Sequence, residues 1–285
     1  MDERTPSFSV ITPSYNMLRF LPACCNSIAD QGVDFEHIVV DAESSDGTVE
    51  WLRNCKGVTV VSEKDEGMYD AVNKGIELAD GEIISYLNCD EQYLHGVLPR
   101  VGEYFQNNPN VDVLFGNVLI VEPGGGLLAY RKSFVPRWPY IWASFLYVHT
   151  SSMFIRKRVF DSGLRFDKKW KAAGDADFVV RLLRWGFCVR HIPEYFSAFM
   201  VTGSNLSNSG IADKELIAFR NTAPFWLRHS NPVIHPLIRI EKLLRGAYRE
   251  KFPLSYSVYT IESLHARQNF VVTQASPLWK RWKLD

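Results

Sequence analysis

The chain has no excess of either charge: 32 Lys and Arg stand against 32 Asp and Glu, for a formal net charge of zero. Without a global basic field, nucleic acid is not an expected partner. Cysteine is scarce and unpatterned. Cys24, Cys25, Cys55, Cys89 and Cys188 show no C-x-x-C spacing, and five is an odd number, which excludes a complete disulfide framework. Reduced thiols in a cytoplasmic protein fit that count. Long hydrophobic runs are missing too. Residues 1–7 are mostly polar and lead straight into a strand pattern, without the apolar core of a signal peptide, so no export is expected. The most hydrophobic stretch, residues 140–155, is interrupted by His149, Thr150, Ser151 and Ser152. It falls short of the roughly 20 apolar residues that a membrane span needs. There is no internal repeat and no low-complexity tract.

What the chain does have is material for a large core. Its 285 residues are 46% hydrophobic and 13% aromatic, enough for one large domain or one domain with an extension. Apolar runs of strand length at residues 8–12 (FSVIT), 37–41 (HIVVD), 58–62 and 82–87 (EIISYL) alternate with helical spacing at 18–30, 48–54 and 68–79. That alternation predicts an α/β fold with a Rossmann-like, mainly parallel sheet flanked by helices. After about residue 95 the rhythm loosens into a helix at 96–107, strands at 111–121 and 127–132 around Gly124-Gly125-Gly126, a strand at 152–155 and a helix at 175–185. The sheet gains antiparallel strands there.

In such sheets ligands bind beyond the carboxyl ends of the strands, where loops and helix N-termini converge. Every predicted strand end in the first 95 residues is polar. Asn88-x-Asp90-Glu91 is the most telling, because adjacent carboxylates beside a buried strand repel each other and lose solvation unless a cation sits between them. Mn²⁺ or Mg²⁺ suits oxygen ligands and would recruit the phosphates of a diphosphate. An isolated acidic pair would be only a solvated turn; here it has company. Asp41 ends an apolar strand, where a base or ribose can meet its carboxylate, and Asp46 follows in a D-G turn that also serves as a helix cap. Asp65 precedes a helix carrying Asn73 and Lys74, on a face that can address ribose and phosphates.

Four segments in this order, SVITPSYN, VVDAESSDGT, SEKDEGMYDAVNKG and ISYLNCDE, resemble the nucleotide-sugar-binding half of family 2 inverting glycosyltransferases with the glycosyltransferase A fold. The resemblance spans residues 7–95 and continues more weakly to about 200. It implies that Pro13, Tyr15 and Asn16 pack on the nucleotide base, that Asp41 contacts that base with Asp46 adjoining, and that Asp65, Asn73 and Lys74 lie on the nucleotide side. Asn88-Cys89-Asp90 stands at the family's D-x-D motif, with Asn88 in place of the first acid, so Asp90 is the expected metal ligand and Glu91 a second. The segment Gly174-Asp175-Ala176-Asp177, leading into Arg181, resembles the motif that holds the general base. Asp175 is the first choice for that role and Asp177 the second. His149 and Trp142 are candidates for the acceptor pocket, although a lone His or Trp also reads as core.

The resemblance implies transfer with inversion from a nucleotide diphosphate sugar, UDP by default with GDP and dTDP open, to a saccharide or lipid-linked acceptor in polysaccharide or glycoconjugate biosynthesis. A nucleotidyltransferase that makes nucleotide sugars would need a Gly-rich basic loop after the first strand, where this chain has Pro13-Ser14-Tyr15-Asn16. A non-catalytic nucleotide-sugar binding module would not need Asp175. The expected organisation is a catalytic domain over 1–215, split into a donor half (1–95) and an acceptor half (96–215), followed by a helical, basic and aromatic extension over 216–285. The extension's Arg, Lys and Trp content, ending in Trp279-Lys280-Arg281-Trp282-Lys283, suits contact with the inner face of an anionic membrane or a packing helix with a solvated face.

Overall fold

Seven consecutive buried residues, Phe8–Ser14, form β1, as a strand covered on both faces requires. The computed structural model describes residues 7–203 and 210–277. After β1 come α1 (Leu21–Ala29), β2 (Phe35–Asp41), α2 (Thr48–Arg53), β3 (Val58–Ser62), α3 (Met68–Leu78) and β4 (Ile83–Tyr86). The alternation expected from the sequence is present in each of these. β1 pairs in parallel with β2 on one side and β4 on the other. The winding therefore reverses at β1, and the crevice beyond Ser14 and Tyr86 is the topological switch point where such sheets bind ligands. Alternate residues of β1 feed separate cores: Ile11 shares one with Val72 and Ile76 of α3, Val10 another with Cys24 and Ile28 of α1.

The second half adds β5 (Glu91–Tyr93), α4 (Val97–Asn107), β6 (Val113–Val121), β7 (Leu127–Arg131), α5 (Trp138–Ala143), β8 (Met153–Arg156), α6 (Lys157–Asp161), α7 (Gly174–Arg184) and β9 (Val189–Met200). A single 3₁₀ turn, Thr150–Ser152, precedes β8. β8 joins antiparallel between β4 and β6, which extends the parallel strands into a mixed sheet. β9 was not apparent in the sequence. Pro193 and Glu194 interrupt its pattern, and they fall where its pairing with β6 shifts register.

The extension is only partly helical. Helices α8 (Gly210–Asn221), α9 (Phe225–Arg228) and α10 (Asn231–Leu244) match the expectation, and the expected boundary at 215 falls inside α8. Residues 254–272 form instead an antiparallel hairpin, β10 (Leu254–Thr260) and β11 (Ser263–Val272), followed by a short β12 (Ser276–Pro277) paired with β7. The reason is a period-two pattern, Tyr256 and Val258 buried between less buried serines, which outweighs the basic and aromatic composition. The hairpin packs back on the donor half. Gln92 of β5 donates to the Tyr259 carbonyl and accepts from its amide, both at 2.8 Å. Arg267 grips Asp30 through two nitrogens, at 2.5 and 2.7 Å, and also donates to the Tyr93 carbonyl. The terminal Trp- and Lys-bearing segment from 279 lies outside the described residues.

Candidate active site

The loops at the switch point are built by short-range bonding. Asn16 adopts a left-handed backbone (φ 52°), its amide donates to Ser44 Oγ (2.7 Å) and its Oδ1 accepts from the Ser45 amide (2.8 Å). Ser44 in turn donates its amide and hydroxyl to Asp41, at 2.8 and 2.6 Å. Asp41, fully buried at the end of β2, thus ties the second loop to the first. Asp46 accepts from the Leu18 amide (3.0 Å) and from the Thr48 amide and hydroxyl (3.1 and 2.5 Å). Burial alone would raise its carboxyl pKa, but these donors prevail and hold it below the ordinary value. Tyr15 is 63% exposed at the mouth, with its ring open to a stacking partner. Cys89 Sγ lies 3.4 Å from the Pro13 carbonyl, joining the first loop to the fourth.

At that fourth strand end the two neighbouring acids divide. Glu91 is turned inward: 1% exposed, it accepts the Asn88 amide at 2.7 Å and lies 3.7 Å from His149 Nδ1. Burial first, then the charges of Asp90 and Asp175, push its carboxyl well above the ordinary range. It braces the turn, and the expectation that it ligates a metal gives way to that role. Asp90 is half-buried, and its carbonyl accepts the Met200 amide at 2.9 Å, which fixes the turn against β9. His149 is half-buried, bonds Ser151 Oγ at 2.7 Å and sits edge-on to Phe199. Its pKa falls to about 3 through burial and the nearby Arg131, so it is neutral.

Asp175 opens α7 directly across from β4. Tyr86 donates its hydroxyl to Oδ1 (2.5 Å), Thr150 donates to Oδ2 (3.2 Å), and the Asp175 amide donates to the Tyr69 hydroxyl (3.1 Å). Burial raises the carboxyl pKa above its ordinary value, although the three hydroxyls counter it. Position 174 must be glycine here, since a Cβ would lie 2.5 Å from Tyr69 Cε2. The preceding turn is held from α8: the Glu215 carboxylate accepts the amides of Lys171, Ala172 and Ala173 at 2.7–3.0 Å. Asp177 is committed elsewhere, to Arg181 at 2.7 Å one helical turn on. Of the two acids, Asp175 alone faces Tyr86 and Thr150.

Three other expected residues sit away from this cluster. Asn73 clasps the main chain of Phe166 through both side-chain atoms, at 2.8 and 3.0 Å. Lys74 pairs with Glu63 at 2.8 Å and Asp70 at 3.6 Å. Both line a separate cleft of about 810 Å³ between α3 and residues 165–171. Trp142 is core: it is 7% exposed, its Nε1 donates to Thr222 at 3.0 Å, and Arg184 covers its ring. Asp65 stays at the border of the site, accepting the Gly67 amide ahead of α3. Sequence reading missed Tyr69, Tyr86 and Glu215. Tyr86 had a signal, standing two residues before Asn88 on one face of its strand.

Among the described residues, no three His, Cys, Asp or Glu side chains converge as a metal cage. A hard divalent ion carried in on a diphosphate needs only one or two protein carboxylates, with phosphate oxygens and waters completing its shell.

Across residues 9–164 the sequence fits the family described as Glycosyl transferase family 2. The chain belongs to that family. It is 27% identical over 223 residues to a PGL/p-HBAD biosynthesis glycosyltransferase of Mycobacterium bovis, covering 74% of this chain and 83% of that protein. The fold matches S. aureus TarS 1–349 in complex with UDP-GlcNAc (TM-score 0.60, 19% identity, 75% of this chain, 64% of that one). It also matches the mannosyltransferase PcManGT of Pyrobaculum calidifontis in complex with GDP-Man and Mn²⁺ (TM-score 0.58, 17% identity, 87% and 77%). Against a further TarS 1–349 structure this chain spans 60% of the length. The structural likenesses show the glycosyltransferase A fold, and membership places the chain among glycosyltransferases. No helix among the described residues is long and apolar enough to cross a membrane.

Proposed function

We propose that this glycosyltransferase takes its sugar from a nucleotide diphosphate sugar, with UDP the first nucleotide to test. It would deliver that sugar with inversion to a hydroxyl of a saccharide or lipid-linked acceptor, at the cytoplasmic side of a membrane. The observation that carries this reading is Asp175, a carboxylate of raised pKa held by Tyr86 and Thr150 at the end of β4, where its charge and that of Asp90 both act on Glu91. A base of raised pKa takes a proton more readily once ionised. The acceptor hydroxyl gives its proton to Asp175 as its oxygen bonds the anomeric carbon, and the bond from that carbon to the diphosphate oxygen breaks with its electron pair leaving on the diphosphate. Asp177 would be left to hold Arg181. Tyr15 and Pro13 would flank the base, with Asp41 and Asp46 keeping their loops in place. Mn²⁺ or Mg²⁺ bound through Asp90 would supply charge neutralisation for the departing diphosphate. The complexes of TarS with UDP-GlcNAc and of PcManGT with GDP-Man and Mn²⁺ support a nucleotide-sugar donor and a divalent ion.

The test is a thermal-shift screen of UDP-, GDP- and dTDP-sugars with and without Mn²⁺, on wild type and Asp90→Ala. Ligand bound to the native state raises the melting temperature by mass action. A Mn²⁺-dependent rise with one donor class, lost in Asp90→Ala, is expected. The same rise without Mn²⁺ and in the variant would overturn the metal assignment, and no rise with any donor would overturn the donor assignment.

A further inference from the structure

Nine of the fourteen large hydrophobic side chains exposed among the described residues lie between Ile211 and Leu244, in the three helices of the extension. α10 carries two apolar faces. One, with Ile234 and Ile238 buried, packs toward α5, where the stem of the buried Lys242 brings its Nζ 4.9 Å from the Phe145 ring. The other is a stripe of Val233, Leu237, Ile240 and Leu244, spaced by four, three and four residues, and these are 43–81% exposed. Phe225 and Trp226 of α9 extend it, at 77% and 61% exposed. Monomeric soluble proteins rarely leave such a stripe to water.

Charge is sorted around the stripe. Residues 225–251 hold six Lys and Arg against two acids, Glu241 and Glu250. Both acids turn toward the body of the protein: Glu241 pairs with Arg137 at 3.1 Å and Glu250 with Lys132 at 3.1 Å. Arg228, Arg239, Arg249 and Lys251 are exposed, with Arg239 one turn before the exposed Leu243, while Arg245 reaches back to Glu241 at 4.0 Å. An exposed apolar stripe bordered by cations, with aromatic residues at one end, complements the boundary of an anionic bilayer. We infer that α9 and α10 form a peripheral membrane-docking surface, in which Val233, Leu237, Ile240 and Leu244 enter the headgroup boundary of an anionic lipid surface and the flanking arginines meet its phosphates. The buried face of the same helix rests on α5, and α5 packs on α7, so docking would orient the helix that carries Asp175 relative to the bilayer. The inference stands whatever the donor or acceptor.

The experiment is flotation of the full chain with phosphatidylcholine vesicles made with and without phosphatidylglycerol, on wild type, Ile240→Asn/Leu244→Asn and Arg239→Gln/Arg249→Gln. All four positions are exposed, and an unchanged melting temperature checks that each variant folds. Wild type is expected to float with the anionic vesicles, and the Asn pair to lose about tenfold or more of the bound fraction. The Gln pair is expected to lose binding chiefly at low salt, where surface charge counts most. Quenching of Trp226 by brominated lipid, absent in Trp226→Phe, would place α9 at the same boundary. No flotation of wild type, or equal flotation of the Asn pair, overturns the inference. So does a lipid-free wild-type dimer in sedimentation that the Asn pair abolishes, since the stripe would then belong to a second copy.

Discussion

The two sides of the site are held in different ways. On the donor side Asp41 and Asp46 are satisfied by Ser44, Leu18 and Thr48, from the same loop or its neighbour. On the acceptor side Asp175 is positioned by Tyr69 from α3, Tyr86 from β4 and Thr150 ahead of β8, while Glu215 from α8 pins the turn before it. Donor loops assembled locally can keep their shape through modest damage elsewhere. A carboxylate held from four distant elements depends on the whole fold being closed.

The largest effect should come from Asp175→Asn. Initial rates should fall by about 10³-fold through loss of the proton acceptor, while the donor-induced thermal shift persists. Loss of donor binding as well would erase the distinction between the two sides. The same variant carries a signed pH test. The folded pKa of Asp175 is raised, so its contribution to stability is full below the ordinary carboxylate range and is lost as pH rises through the raised value. Asp175→Asn should therefore melt no lower than wild type at neutral pH, and should flatten the decline of melting temperature with rising pH.

Tyr86→Phe comes next, with a rate loss of about tenfold. Its hydroxyl lowers the Asp175 pKa, so removing it should move the acid limb of kcat to higher pH. An unmoved limb would mean that Asp175 is not the group being titrated. Glu215→Ala should cost about 2 kcal/mol of stability, as a charged acceptor of three amides is lost, and should lower kcat with the donor KM little changed. A change confined to donor KM would invert the comparison. The smallest effect is expected for Asp46→Asn, about 1 kcal/mol by denaturant titration from a weakened cap. Transfer should then be normal once the protein is folded.

Legibility in the sequence follows the same division. Strand runs such as HIVVD end in acids whose partners lie within a few residues, so the donor loops and the parallel sheet were readable from the chain alone. The place of Asp175 at a helix start was also readable. Its supporters were not, because Tyr69 and Glu215 are ordinary helix residues until the fold brings them to it from 106 and 40 residues away. Trp142 was misjudged for the same reason. Nothing local distinguishes a ring that stacks on a sugar from one covered by Arg184 and bonded to Thr222.

The hairpin's return to β5 also bears on recombination between relatives. A chimera that keeps residues 1–203 and takes a foreign tail would deprive Gln92 of Tyr259 and Asp30 of Arg267, leaving both side chains without these partners and uncovering the apolar surface beneath Tyr256 and Val258. Residues 254–272 therefore behave as the last piece of the donor half, although they follow it in the chain only after the whole acceptor half. Crossovers that respect this would graft 96–244 as one cassette and leave both flanks together.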